Sequence, residues 1–210
     1  MKIRIALVAS MVGTLFASSA FADEVAGVSA SAEKKFNVGV QAEMLPVGSL
    51  ELGANGKSDT TDLKLSYGVG LNLSYDVTPN ISVGLAPRYI FGIQSDEAQG
   101  DDTGEELDLR ARLTAHFPVA PGLQVFGFAA PGYSWLLDNS EEEDFDNPEG
   151  FVLGFGGGAT YDVSPNLYVS AEVGYQLGFQ GFSADTPIGT VDADTKTNFL
   201  DIGIGVGTRF

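Results

Sequence analysis

Apolar side chains recur at every second position over eight stretches of the chain, a period that β-strands produce and helices do not. The first stretch sets Phe36, Val38, Val40, Ala42 and Met44 on one side. The second runs from Leu63 to Tyr75, the third from Ile81 to Ile93 and the fourth from Leu107 to Phe117, each with its odd-numbered residues on the apolar side. In the fifth, Leu123, Val125, Ala129, Tyr133 and Trp135 form that side, with Phe126 and Phe128 on the other and Pro131 predicting a bulge. The sixth carries Phe151 to Tyr161, the seventh Leu167 to Phe179, and the eighth Leu200, Ile202, Ile204, Val206, Thr208 and Phe210.

Along these stretches the apolar parity holds no Asp, Glu, Lys or Arg. A water-soluble barrel would hide that parity and show solvent a face rich in Lys and Glu. Here the opposite parity is mostly Gly, Ser, Thr, Asn and Gln, the composition of a crowded polar lumen. The pattern therefore predicts an all-β fold, an eight-stranded antiparallel up-and-down transmembrane β-barrel with its apolar parity against lipid. Glycines such as Gly68, Gly70, Gly84, Gly156 and Gly158 are expected to make room inside.

The connections alternate in length. Asp76-Val77-Thr78-Pro79-Asn80 and Asp162-Val163-Ser164-Pro165-Asn166 both follow a tyrosine, form a short internal repeat, and read as tight reversals. Pro118 to Gly122 is the third short connection. The other four, about Pro46 to Asp62, Ser95 to Glu106, Asp138 to Gly150 and Gly181 to Thr197, read as longer acidic loops. Short turns on one side and long loops on the other predict periplasmic and extracellular ends, with both termini periplasmic. Tyr75, Phe117, Tyr161 and Phe210 cluster beside the short turns, and Phe91, Trp135, Phe151 and Phe179 beside the long ones. Two such rings separated by a tilted strand of ~9–11 residues suit the thickness of a bilayer.

Composition narrows the function. Residues 1–22 carry Lys2 and Arg4, an apolar run and a closing Ala20-Phe21-Ala22, and are expected to be a cleaved signal peptide. Residues 23–35 lack alternation and read as a flexible periplasmic lead-in, leaving 36–210 for the barrel. The chain has no cysteine, so no disulfide can hold it. Without Lys2 and Arg4, nine basic residues face 28 acidic ones, a net charge of −19, which excludes a nucleic-acid partner.

Charges on the inner parity are Glu43, Lys64, Arg88, Asp108, Arg110, Arg112, Glu172, Asp201 and Arg209. Buried charges persist only when paired, so an ion-pair lattice across the lumen is expected, with a gate or proton path as the functional alternative. Eight strands leave a diameter that side chains fill, so a narrow pore or small-solute transporter ranks second. Lipid-modifying catalysis would need a nucleophile with an activating base. The single histidine, His116, lies on the inner parity near a short turn with no evident serine partner, which argues against an enzyme. No cofactor is expected. The acidic loops read as solvated surface available for interaction. Asp101, Asp102, Glu142, Glu143, Asp144 and Asp146 could instead take Ca²⁺ or Mg²⁺ bridging to lipopolysaccharide, although no EF-hand spacing is present.

The Gly-rich last stretch, Asp201-Ile202-Gly203-Ile204-Gly205-Val206-Gly207-Thr208-Arg209-Phe210, ends on a terminal aromatic. With it the chain, over about 36–210, resembles the outer-membrane β-barrel domain family, the OmpA-, OmpX- and opacity-type eight-stranded barrels. Gly205 and Phe210 match the family's terminal targeting pattern, while Gly203 and Thr208 depart from it. The resemblance implies the outer membrane of a Gram-negative bacterium, outer-membrane lipid and lipopolysaccharide as surroundings, and the barrel-assembly machinery as a partner during biogenesis. A monomer is expected.

Overall fold

The computed structural model describes residues 35–54, 57–96, 103–137, 148–186 and 189–210. The expected signal peptide, nearly all of the lead-in, and the candidate metal ligands Asp101, Asp102, Glu142, Glu143, Asp144 and Asp146 lie outside the described residues. The strands are β1 (Phe36–Ala54), β2 (Lys57–Leu63), β3 (Ser66–Thr78), β4 (Ile81–Ile93), β5 (Gly104–Ala120), β6 (Leu123–Leu137), β7 (Glu149–Asp162), β8 (Leu167–Thr186) and β9 (Gly189–Arg209). All pairings are antiparallel, and β1 also pairs with β9, so the sheet closes into a barrel.

Among the described residues, nine strands make eight walls because β2 and β3 lie end to end along β1. β3 pairs with Phe36–Leu45 and β2 with Gly48–Ala54. At the junction Pro46 has no N–H to donate, and the β1–β9 register shifts between Met44 and Val47. The wall is thus stepped at one height, near Lys64 and Leu65.

Alternation decides what faces out. Leu85, Leu113, Val173 and Ile204 stand exposed on the barrel's exterior, while Arg88, Arg112, Glu172 and Asp201 are buried inside. On β6 the outward set is Val125, Ala129 and Tyr133, with Phe126 and Ser134 buried inside. The bulge expected at Pro131 is absent. Pairing with β7 runs through Pro131 without a break, and pairing with β5 lapses between Gly132 and Ala129 but resumes in the same register; the β5–β6 register shift lies at the short turn, between Pro118 and Ala120. A missing N–H here removes a ladder bond without inserting a residue.

Two of the expected long loops are largely strand. β1 continues to Ala54, held by β2 on one side and β9 on the other, and β8 and β9 stay paired to Thr186 and Gly189. Acidity marked these segments as loops. Their threonines suit strands, and charge is accommodated by a cross-strand pair on the outward side, Glu51 with Lys196 at 3.3 Å. The short connections are tight: Pro79–Asn80, Pro121–Gly122 with Gly122 at φ +73°, and a turn in which the Leu167 N–H donates to Ser164 Oγ at 3.2 Å.

Candidate functional site: the barrel lumen

Arg88 on β4 is the hub of the lumen, its side chain fully buried. Asp108 is its direct cross-strand partner on β5, so the two side chains leave the sheet together. Arg88 Nε and Nη2 both donate to Asp108 Oδ2, at 3.0 and 2.7 Å, and Nη1 donates to Glu43 Oε2 at 3.1 Å. Glu43 comes from β1, with β3 between it and β4. It crosses because the residues beneath it are glycines: a Cβ on Gly70 would sit 3.2 Å from Glu43 Oε1. Arg88 also donates to Gln176 on β8, whose Nε2 donates to Glu106 Oε1 at 2.8 Å. Side chains from β1, β4, β5 and β8 therefore meet at the centre. Each guanidinium bond to a carboxylate is charge-assisted, and the low dielectric strengthens it.

A second group lies nearer the short turns. Arg112 Nη2 donates to Glu172 Oε2 at 2.8 Å, and its guanidinium carbon stands 3.9 Å from the Phe128 ring centroid. Arg110, also buried, reaches Gln176 Oε1 at 3.5 Å over Gly154, and Asp201 is buried above Gly174. Arg209 is separate from both groups. It pairs with Asp162 and lies over the Tyr168 ring near the chain end.

Lys64 does not join the lattice. Lumenal Leu63 and Ser66 have two residues between them instead of one, because the wall steps there, so Lys64 is exposed and bonds Gln94 Oε1 at 3.3 Å. Sequence parity counted across that step assigned it to the wrong side. Glu106 errs in the opposite direction: expected at the edge of an acidic loop, it is a fully buried lumenal residue of β5. His116 does have a serine partner, since its Nε2 lies 2.9 Å from Ser82 Oγ on β4. Ser82 is only 2 % exposed, so this hydroxyl is a lumen hydrogen-bonding group with no open approach for a lipid ester.

The long-loop half of the lumen holds a feature that reasoning from parity missed. Leu45, Leu63, Ile90 and Phe199 form a buried apolar cluster inside the barrel, joined by Leu50 and Ile93. Its trace in the sequence is the breakdown of alternation, as apolar residues become consecutive at Met44-Leu45, Tyr89-Ile90-Phe91 and Phe199-Leu200. Elsewhere at that end the lumen is polar, with Gln180 Nε2 donating to Ser134 Oγ at 2.8 Å.

The lumenal glycines serve neighbouring strands. Gln41 occupies the space a Gly203 side chain would need, Tyr168 that of Gly207, Thr197 that of Gly178, and Phe126 that of Gly158. Each glycine lets the adjacent strand's side chain lie across the wall and fill the cross-section. Among the described residues, no group of three acidic, His or Cys side chains is placed to hold a metal.

A charge-free belt around an ion-paired interior, in a closed eight-walled sheet, is an arrangement shared with known proteins. Among curated proteins, none matches the sequence. Solved structures match over most of their length. Pseudomonas aeruginosa OprG has 17% identity and a TM-score of 0.63, covering 84% of this chain and 96% of that one. AlkL, solved in lipid bilayers, has 14% identity and a TM-score of 0.56 over 88% and 94%. Neisserial surface protein A has 15% identity and a TM-score of 0.51 over 82% and 97%. At these identities the likeness speaks for the fold. The family model described as "Outer membrane protein beta-barrel domain" matches residues 7–210, and the chain belongs to that family, whose place is the outer membrane of Gram-negative bacteria.

Proposed function

We propose that this protein is a structural and surface-interaction barrel of the outer membrane, anchored by its apolar belt, closed by its lumenal lattice, and presenting acidic segments outside the cell, with both termini in the periplasm. One observation carries the closed reading. Arg88, Asp108, Glu106 and Gln176, drawn from three strands, are all fully buried at one level of the lumen, together with Glu43 from a fourth. Moving hydrated solute past that level would require breaking several charge-assisted bonds in a low dielectric. Gly205 and Phe210 serve assembly in this reading. In this reading the barrel is not an enzyme: among the described residues the Ser82–His116 pair is enclosed in the lumen.

Conductance of the refolded barrel in planar bilayers tests the proposal. The wild type is expected to be silent at moderate voltage and salt. The Arg110→Ala/Glu172→Ala double variant, which empties part of the lumen, is expected to show at most small intermittent steps. Steady channels from the wild type would transfer the assignment to the small-solute pore.

A further inference from the structure

Among the described residues the buried charges of the lumen do not balance. Arg88, Arg110 and Arg112 stand against Glu43, Glu106, Asp108, Glu172 and Asp201, three guanidiniums for five carboxyls. The other cations are elsewhere. Lys35, Lys64 and Lys196 are exposed, Arg209 pairs with Asp162 near the chain end, and Lys57 opens β2 opposite Ala54 at the tip of its hairpin. Residues 55–56, 97–102, 138–147 and 187–188 contain no Lys, Arg or His, so the loops have no cation to lend. A closed lumen of low dielectric does not keep surplus anions without something positive beside them.

Glu106 and Asp108 show where that charge belongs. They stand two residues apart on the same side of β5, both without exposed surface. Glu106 Oε1 accepts from Gln176 Nε2 at 2.8 Å, and Asp108 Oδ2 accepts from Arg88 at 3.0 and 2.7 Å. The second oxygens, Glu106 Oε2 and Asp108 Oδ1, are buried with no donor, although the two carboxyls are hydrogen-bond neighbours. Two carboxylates cannot bond one another. A carboxyl and a carboxylate can, because the un-ionised partner has an O–H to donate. The charged groups around the pair are Arg88 from β4, Arg110 from β5, Glu43 from β1 and Asp201 from β9. Gln176 and Ser134 from β8 and β6 are neutral, and β3 and β7 bring Gly68 and Gly150 to this level. On the outer face the same level is the long-loop aromatic girdle, where Tyr89 and Trp135 flank Leu107.

We propose that Glu106 and Asp108 hold one proton between them at neutral pH, which makes the long-loop end of the lumen a proton-binding site. The proposal rests on the closed reading of the lumen and adds that the lattice is complete only with this proton in place. An unfolded chain gives such a proton up above about pH 4.3, the ordinary range of a glutamate. The folded barrel therefore binds more protons than the unfolded chain at neutral pH, and its stability falls as pH rises until the pair lets go.

The test is infrared spectroscopy of the whole refolded barrel in an ester-free detergent, with urea unfolding followed from neutral to alkaline pH. The wild type is expected to show the C=O stretch of an un-ionised carboxyl at neutral pH and to lose it on alkalinisation. Glu106→Gln, whose amide can donate to Asp108 as the carboxyl does, is expected to fold and to lack the band, and Asp108→Asn to lack it as well. Relative to Glu106→Gln, the wild-type unfolding constant is expected to climb by up to about tenfold per pH unit, the linkage of one proton. No band in the wild type, or parallel pH profiles of the two proteins, would overturn the proposal. So would a band that survives in Glu106→Gln and disappears in Asp201→Asn, which puts the proton on another carboxyl. A missing band together with stabilisation by sodium or potassium would make a metal cation the neutralising ligand instead. Closure is read separately: steady wild-type conductance strikes at the closed lumen whatever the spectrum shows.

Discussion

Arg88→Ala should destabilise the barrel by about 3–5 kcal/mol, the usual cost of removing one partner from a buried ion pair. The loss arises less from the missing attraction than from what remains, two carboxylates, Asp108 and Glu43, buried and deprived of their donor. Urea unfolding of the refolded protein in detergent or bilayers measures it as a lowered midpoint. The triple variant Arg88→Met/Asp108→Leu/Glu43→Leu separates the two contributions. With no charge left unpaired it should recover most of the stability, because an apolar replacement of a buried charge group is often neutral or better. If Arg88→Ala alone costs less than about 1 kcal/mol, the range of an exposed pair, the lumen is wetter than its burial implies.

Placing arginine at Ile204 should cost about 2–4 kcal/mol, as a lipid-facing charge near the bilayer midplane does. Ile204 is 67 % exposed on β9, between the aromatic chain end at Phe210 and the charged row that begins at Lys196. The same substitution at Asn198, on the same side of the same strand but at the long-loop edge beside Lys196, should cost about 0–1 kcal/mol. Equal, small effects at both positions would mean that water wets the whole strand. The two sites share strand, side and introduced residue; since Asn198 also gives up a hydrogen bond from its Nδ2 to Ser49 Oγ, a larger cost at Ile204 is attributable to depth.

Much of this architecture is written in the sequence because the β period is 2 and hydrocarbon tolerates no charge, so a single parity rule sorts inside from outside over long segments. The strands and the inward direction of Arg88, Asp108, Arg112 and Glu172 follow from it, and the Pro-Asn chemistry of the short turns adds which strands are neighbours. The rule fails where its two assumptions fail. At Lys64 the wall steps, parity slips, and a residue counted as lumenal lies outside. Beyond the girdle, hydrocarbon no longer polices the outer face, so Glu51, Glu105, Glu149 and Lys196 stand on strands where acidity alone suggested loops.

The lumen's partners were less legible than its members. Which arginine meets which carboxylate depends on side chains crossing intervening strands, as Glu43 does over Gly70. No spacing along the chain encodes that crossing, although the glycines that permit it are visible. The Ser82–His116 contact has the same origin, two residues 34 apart brought together by the β4–β5 register. The apolar cluster around Phe199 broke the alternation, but an isolated pair of adjacent apolar residues is a weak signal until the strands are in register.

The central claim is that lipid, not water, covers the uncharged outward parity. The most direct measurement is a nitroxide label placed in turn at Ile204 and Lys196 of the barrel in bilayers, comparing relaxation by oxygen with relaxation by a water-soluble nickel complex. Ile204 should respond to oxygen and hardly to nickel, and Lys196 the reverse. Strong relaxation by nickel at Ile204 would contradict a hydrocarbon-facing exterior.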